Sequence, residues 1–192
     1  MQIGRLAARA VIGGLFVGHG TQKLFGWFGG PGLDGTEQMM GALDMRPTRH
    51  NALAAGLAET AGGALVVAGA ATPLAASSLI GTMLTAIRKV HQPNGPWVTN
   101  GGWEYNAVLI AALTALVDGG PGDLSVDALV GKKEWGPSWA AAGLALGAAA
   151  STAAIALGRR GGGEADVPRP RGEVADEARD GTAGDPVTTL AD

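Results

Sequence analysis

The sequence predicts an all-α protein, a transmembrane bundle of four helices with a fifth appended and a disordered polar tail behind it. Three observations carry this. Only 16% of the 192 residues are charged, against roughly 25% in soluble domains. Long apolar stretches recur without the alternation of a half-buried strand. Beyond Gly158 large apolar side chains almost vanish, so that stretch cannot bury enough surface to fold.

Segment one, residues 3–28, exceeds the roughly 20 apolar residues that span a bilayer, although His19 and Lys23 interrupt it. Arg5 and Arg9 are expected to snorkel to the interface. The basic start imitates a signal peptide, but without a small-x-small cleavage site it reads as a retained first helix. Segment two, 53–71, carries one charge, Glu59. Thr72-Pro73 then makes a tight connection, since Pro suits the first position of a helix and not its interior. Segment three is 74–90. Segment four, 103–117, is short for a full crossing, with Trp103 and Tyr105 placed to anchor its start at headgroup level. Segment five, 138–157, is uncharged and closes on Arg159-Arg160. The connections 29–51 and 91–102 are rich in Gly and Pro and are expected to be turns rather than helix.

The chain has no Cys, which excludes disulfides, thiolate metal ligands and thiol nucleophiles. Eight of the 17 acids, against five of the 14 bases, follow Gly158. The remainder is balanced, and no basic face suggests nucleic acid. Gly13-Gly14 and Gly62-Gly63 supply small residues for close helix packing.

Antiparallel hairpins fix which helix ends share the face carrying both long connections, here called side A. Segment one ends there, placing His19 and Lys23 a few turns inside; segment two begins there and places Glu59 at a comparable depth. Segment three ends there with Arg88 and His91, and segment four begins there with Glu104, Tyr105 and Asn106. His19 and Lys23 share a helix face, as do Arg88 and His91, and both faces should point inward. A charge in lipid costs at least about 2.5 kcal/mol, so Glu59 should pair with Lys23 or Arg88. Two readings follow. The eight residues His19, Lys23, Glu59, Arg88, His91, Glu104, Tyr105 and Asn106 form either an ion-pair network that sets helix register or a polar pocket for a quinone headgroup, an anion, a proton or a partner residue. A metal site from His19, His91, Glu59 and Glu104 is conceivable, but the spacing is no metal motif and two cations compete there, so none is assigned.

His19-Gly20-Thr21-Gln22-Lys23-Leu24-Phe25-Gly26, then Phe28-Gly29-Gly30 and Gly35-Thr36, closely resemble the opening signature of the DoxX family. Glu59-Thr60-Ala61-Gly62-Gly63, the Thr72-Pro73 turn, residues 83–91 and Gly101-Gly102-Trp103-Glu104-Tyr105-Asn106 follow in the order that family shows. The resemblance covers residues 4–127. It implies a multi-pass bacterial inner-membrane protein, usually of four helices, related to the small membrane subunit of thiosulfate:quinone oxidoreductase. For some members it also implies assembly with a superoxide dismutase and a sulfurtransferase in oxidative-stress and thiol defence.

The chain accordingly divides into a DoxX-like bundle (1–127), an extra loop with a fifth helix (128–158) and the tail (159–192). Lysines and arginines near the spans favour a cytoplasmic side A, against the amino-terminus-in arrangement the family implies. The leading functional reading is a non-catalytic accessory membrane subunit of a redox system, with quinone as the one ligand class named. The alternatives are a small proton- or solute-coupled transporter and a non-catalytic scaffold.

Overall fold

A computed structural model describes residues 3–161. Among them there are seven α-helices and no strand: α1 (Ile3–Phe25), α2 (Gly32–Ala42), α3 (Thr48–Ala68), α4 (Thr72–Ala86), α5 (Glu104–Gly119), α6 (Val126–Leu129) and α7 (Pro137–Arg160). The chain is therefore all-α, as the apolar periodicity predicts. Arg159 and Arg160 belong to α7; the expected disordered tail otherwise lies outside the described residues.

The helices run up and down. The tightest crossing is that of α1 with α3, where Gly13 faces Gly63 and Gly20 faces Gly56 and Thr60. A Cβ added at Gly63 would stand 2.6 Å from the Gly13 carbonyl oxygen and 2.8 Å from the Val17 nitrogen. Only glycine permits backbones this close. α3 stops at Gly69, left-handed at φ 61°, where the Ala70 N–H reaches the Leu65 carbonyl (2.9 Å) and closes the last turn. α4 then descends beside α5 around Leu79, Ile80, Leu113 and Val117, all nearly inaccessible.

α7 starts where α5 ends, the Gly136 N–H donating to the Asp118 carbonyl (3.2 Å), and finishes against the α2–α3 connection, where the Arg46 N–H donates to the Gly158 carbonyl (3.0 Å). It lies along α4 through small residues: Gly143 beside Ser77, Gly147 beside Ile80, Gly81 beside Ala150. The first and last turns of α7 thus lie at opposite ends of the bundle. By length and composition α3 and α7 each suffice to cross a membrane. α1 has the length but carries Arg5, Arg9 and Lys23, while α4 and α5 have 15 and 16 residues.

Two features depart from the sequence expectations. The connection 29–51 holds a full helix, α2, whose Thr36 and Met40 are buried. The Thr36 hydroxyl sits within hydrogen-bonding reach of the Lys23 carbonyl (3.2 Å) and of Gly32 (2.7 Å), and Glu37 takes Arg49 (3.1 Å) and the Thr48 hydroxyl (3.0 Å). α2 is thereby clamped onto both α1 and α3. The second departure is Arg9, which does not snorkel. It is buried, and its guanidinium donates to the carbonyls of Val66, Val67, Pro121 and Leu124. Each of those groups lies at a helix end or in a loop, where intrahelical donors run out; the Val66 carbonyl also takes the Gly69 N–H (3.1 Å).

Nearby, Asp127 accepts from the Ala71 N–H (2.7 Å), the Thr72 N–H (3.0 Å) and the Trp135 indole (3.1 Å). It caps α4 from a distant part of the chain, against the positive end of that helix. Burial pushes the Asp127 carboxyl up, but these donors outweigh it and hold the group below the usual carboxylate range.

Candidate functional site

Toward side A the helices part around a cavity of about 520 Å³, inside the ~300–1,000 Å³ range of small-molecule sites. Its first wall is α1 and α3. His19 and Lys23, four residues apart, both line it, and Lys23 forms an ion pair with Glu59 of α3. Glu59 is buried and Lys23 half-buried. The close α1–α3 crossing brings the two helix faces together, and the salt bridge offsets the desolvation that an isolated carboxylate would suffer there.

The second wall is α4 and α5. α4 does not continue as a regular helix to its end but widens into one π turn over Ile87–His91. Such turns bond i to i+5 and shift the side-chain phase. The consequence is that Arg88 and His91 do not share a face. His91 and Lys89 line the cavity, whereas Arg88 turns outward to α7 and donates to the hydroxyls of Thr152 (3.1 Å) and Ser151 (3.4 Å). The His91 ring is held by the Gly101 carbonyl, 2.7 Å from Nδ1. α5 contributes Tyr105 and Asn106, the latter buried with its amide donating to the Met83 sulfur (3.3 Å).

Of the eight residues singled out in the sequence, the cavity collects His19, Lys23, Glu59, His91, Tyr105 and Asn106. Arg88 and Glu104 are elsewhere. Glu104 accepts the Val98 N–H (2.8 Å) and organises the 91–102 connection instead. Among the described residues no three His, Asp or Glu side chains come together to hold a metal ion.

The cavity also contains residues the sequence reading passed over. Lys89 belongs to it through the π turn, which no sequence pattern announces. Four of the five methionines, Met39, Met40, Met45 and Met83, line it as well. Thioethers are soft and adaptable, suited to an apolar ligand of irregular outline. The lining thus has an apolar body with a few converging polar groups, among them two lysines and one carboxylate. It can bind and orient a lipophilic headgroup, and with no Cys in the chain it has no thiol with which to attack one.

The DoxX family model matches residues 4–92. The chain carries a DoxX domain. Comparison with curated proteins and with solved structures finds no match. The DoxX match runs from the start of α1 through the π turn, so it contains the Lys23–Glu59 pair and His91 and ends before α5, Tyr105 and Asn106. DoxX proteins are membrane proteins, and the outward faces fit that setting. Leu6, Val11, Leu57, Leu74, Val108 and Leu146 are all exposed on the helix surfaces, an arrangement suited to lipid and unsuited to water.

Proposed function

We propose that this DoxX protein is a multi-pass protein of the bacterial inner membrane. It serves as an accessory, non-catalytic subunit of a redox system, and its side A cavity receives the headgroup of a quinone-type lipid. The observation that carries the reading is the cavity itself, whose methionine and leucine lining meets hydrogen-bonding groups from α1, α3, α4 and α5. A quinone presents a flat apolar ring with carbonyl acceptors, and Lys89 and Tyr105 supply donors for them. Thiol chemistry would belong to a partner protein such as a sulfurtransferase, because this chain has no Cys, and a superoxide dismutase is the other partner class proposed.

The reading is tested by purifying the protein from its own membranes in mild detergent and identifying, by mass spectrometry, the proteins and lipophilic small molecules that travel with it. Quinone and redox proteins that co-purify, and a quinone lost in Glu59→Gln, are the expected result. A protein recovered in good yield with neither would overturn it.

The Lys23–Glu59 pair favours a second reading, a scaffold in which the charges only fix the register of α1 against α3. That reading requires a Lys23→Glu/Glu59→Lys exchange to preserve function in the cell. A redox-lipid site requires the exchange to impair it.

A further inference from the structure

The polar atoms of the α4–α5 wall have fixed roles. The Gly101 carbonyl can only accept, so the His91 proton that faces it sits on Nδ1. In the neutral ring Nε2 then carries a lone pair and must accept. Asn106 is fixed by the same logic, since the Met83 sulfur has no hydrogen to give and the amide turns its NH2 side toward it. Its Oδ1 is therefore an acceptor pointing away from Met83.

Among the described residues neither acceptor meets a protein donor, because the bonds just given are the hydrogen bonds these side chains make there. Nor is either atom sealed in the protein. The one wholly enclosed, unpartnered side-chain oxygen or nitrogen among the described residues is the Thr72 hydroxyl. His91 Nε2 and Asn106 Oδ1 consequently border open space, and both residues line the cavity. The wall thus presents two acceptors that want a donor from whatever occupies it.

We propose that the cavity prefers the reduced, hydroxyl-bearing form of its lipid, a hydroquinone, over the oxidised quinone, with His91 Nε2 and Asn106 Oδ1 accepting its hydroxyl protons. The inference rests on the reading of the cavity as a quinone-type site. A quinone, which only accepts, uses Lys89 and Tyr105 and leaves both acceptors facing its ring unmet. A hydroquinone uses acceptors and donors alike. Neither bond formation nor electron transfer is required of this chain; the preference is one of binding.

The test is anaerobic calorimetry on the full chain in detergent, titrated with a decyl-substituted benzohydroquinone and with the matching benzoquinone. One well-made hydrogen bond to a ligand hydroxyl predicts a hydroquinone affinity about tenfold higher. His91→Phe and Asn106→Leu, each checked for unchanged helicity, should bring the ratio toward one by weakening the hydroquinone alone, while Lys89→Gln should weaken both forms and keep the ratio. Equal binding, or a tighter quinone, in the unaltered protein overturns the preference and leaves the quinone-type site standing. Binding of neither form overturns both.

Discussion

The Lys23–Glu59 pair makes a sharp prediction because its two members are unequally buried. The Glu59 side chain is 6% exposed and that of Lys23 21%. Lys23→Met strands a carboxylate among α1, α3 and the cavity lining, and stranding a buried charge costs about 3–5 kcal/mol. The open cavity alongside admits some relief, so the low end, about 3 kcal/mol, is expected. Glu59→Leu strands a cation whose four-carbon stem can carry it toward the headgroups, and should cost only about 1 kcal/mol. The double replacement removes both charges, and apolar substitutes for a buried pair are often neutral or better. It should lie within about 1 kcal/mol of the parent, a coupling of about 4 kcal/mol between the two sites. Reversible unfolding in mixed micelles of rising SDS content, followed by helical circular dichroism, reads all four proteins. The reasoning fails if Lys23→Met unfolds with the parent, or if the double variant is as unstable as the worse single one.

Other outcomes follow from the same geometry. Gly63→Ala pushes a methyl group into the Gly13 carbonyl and the Val17 backbone and should cost about 1–3 kcal/mol by the same unfolding assay, while Gly14→Ala, with open space at that position, should be silent. Arg9→Lys keeps the charge but cannot serve the four carbonyls at once, and should lose about 2 kcal/mol or more. Asp127 is held below the ordinary carboxylate range in the folded protein. The stability it contributes is therefore complete above roughly pH 4 and is lost as pH falls through the lower, folded value; Asp127→Asn should be less stable at neutral pH and flatter across the acid range. Topology reporters fused after Lys133 and after Arg160 should report opposite faces of the membrane, and a shared face would show that α7 does not cross.

The all-α architecture was legible because lipid-facing and core-facing helices alike read as apolar runs, and because the Gly-Gly pairs announce a close crossing that Gly13 and Gly63 make. Helix ends shifted by a few residues, α3 beginning at Thr48 rather than at residue 53. α2 was hidden by its glycines, which weigh toward turns, although Leu33, Thr36, Met40 and Leu43 recur at helical spacing and form its inner face. Arg9 was misplaced because burial of a guanidinium depends on carbonyls 57 to 115 residues away in the chain, which local pattern cannot bring near. Inward pointing of both Arg88 and His91 assumed regular i, i+3 geometry. The π turn breaks that geometry, and a phase shift of one residue decides which cation faces the cavity.

That shift also gives α7, which lies beyond the DoxX match, a part in the site. Arg88 does not line the cavity but bonds to two α7 hydroxyls, Thr152 and Ser151, the latter itself part of the cavity wall. Ser151 is buried and its hydroxyl also hydrogen-bonds that of Thr85 of α4 (3.0 Å), whose own proton goes to the Gly81 carbonyl, so the contact is built into the α4–α7 interface rather than added at its rim. With Arg88 drawn outward, the charged groups lining the cavity are Lys23, Lys89 and Glu59, an excess of one cation instead of two. A lower positive potential favours a neutral ring over a strongly anionic ligand. α7 further lines the cavity with Ala150, Ser151 and Ala154 and sets Gly158 against Met45, so it helps to shape the wall that would hold a lipid ring. The fifth helix thus acts on the cavity twice, by removing a charge and by completing a wall.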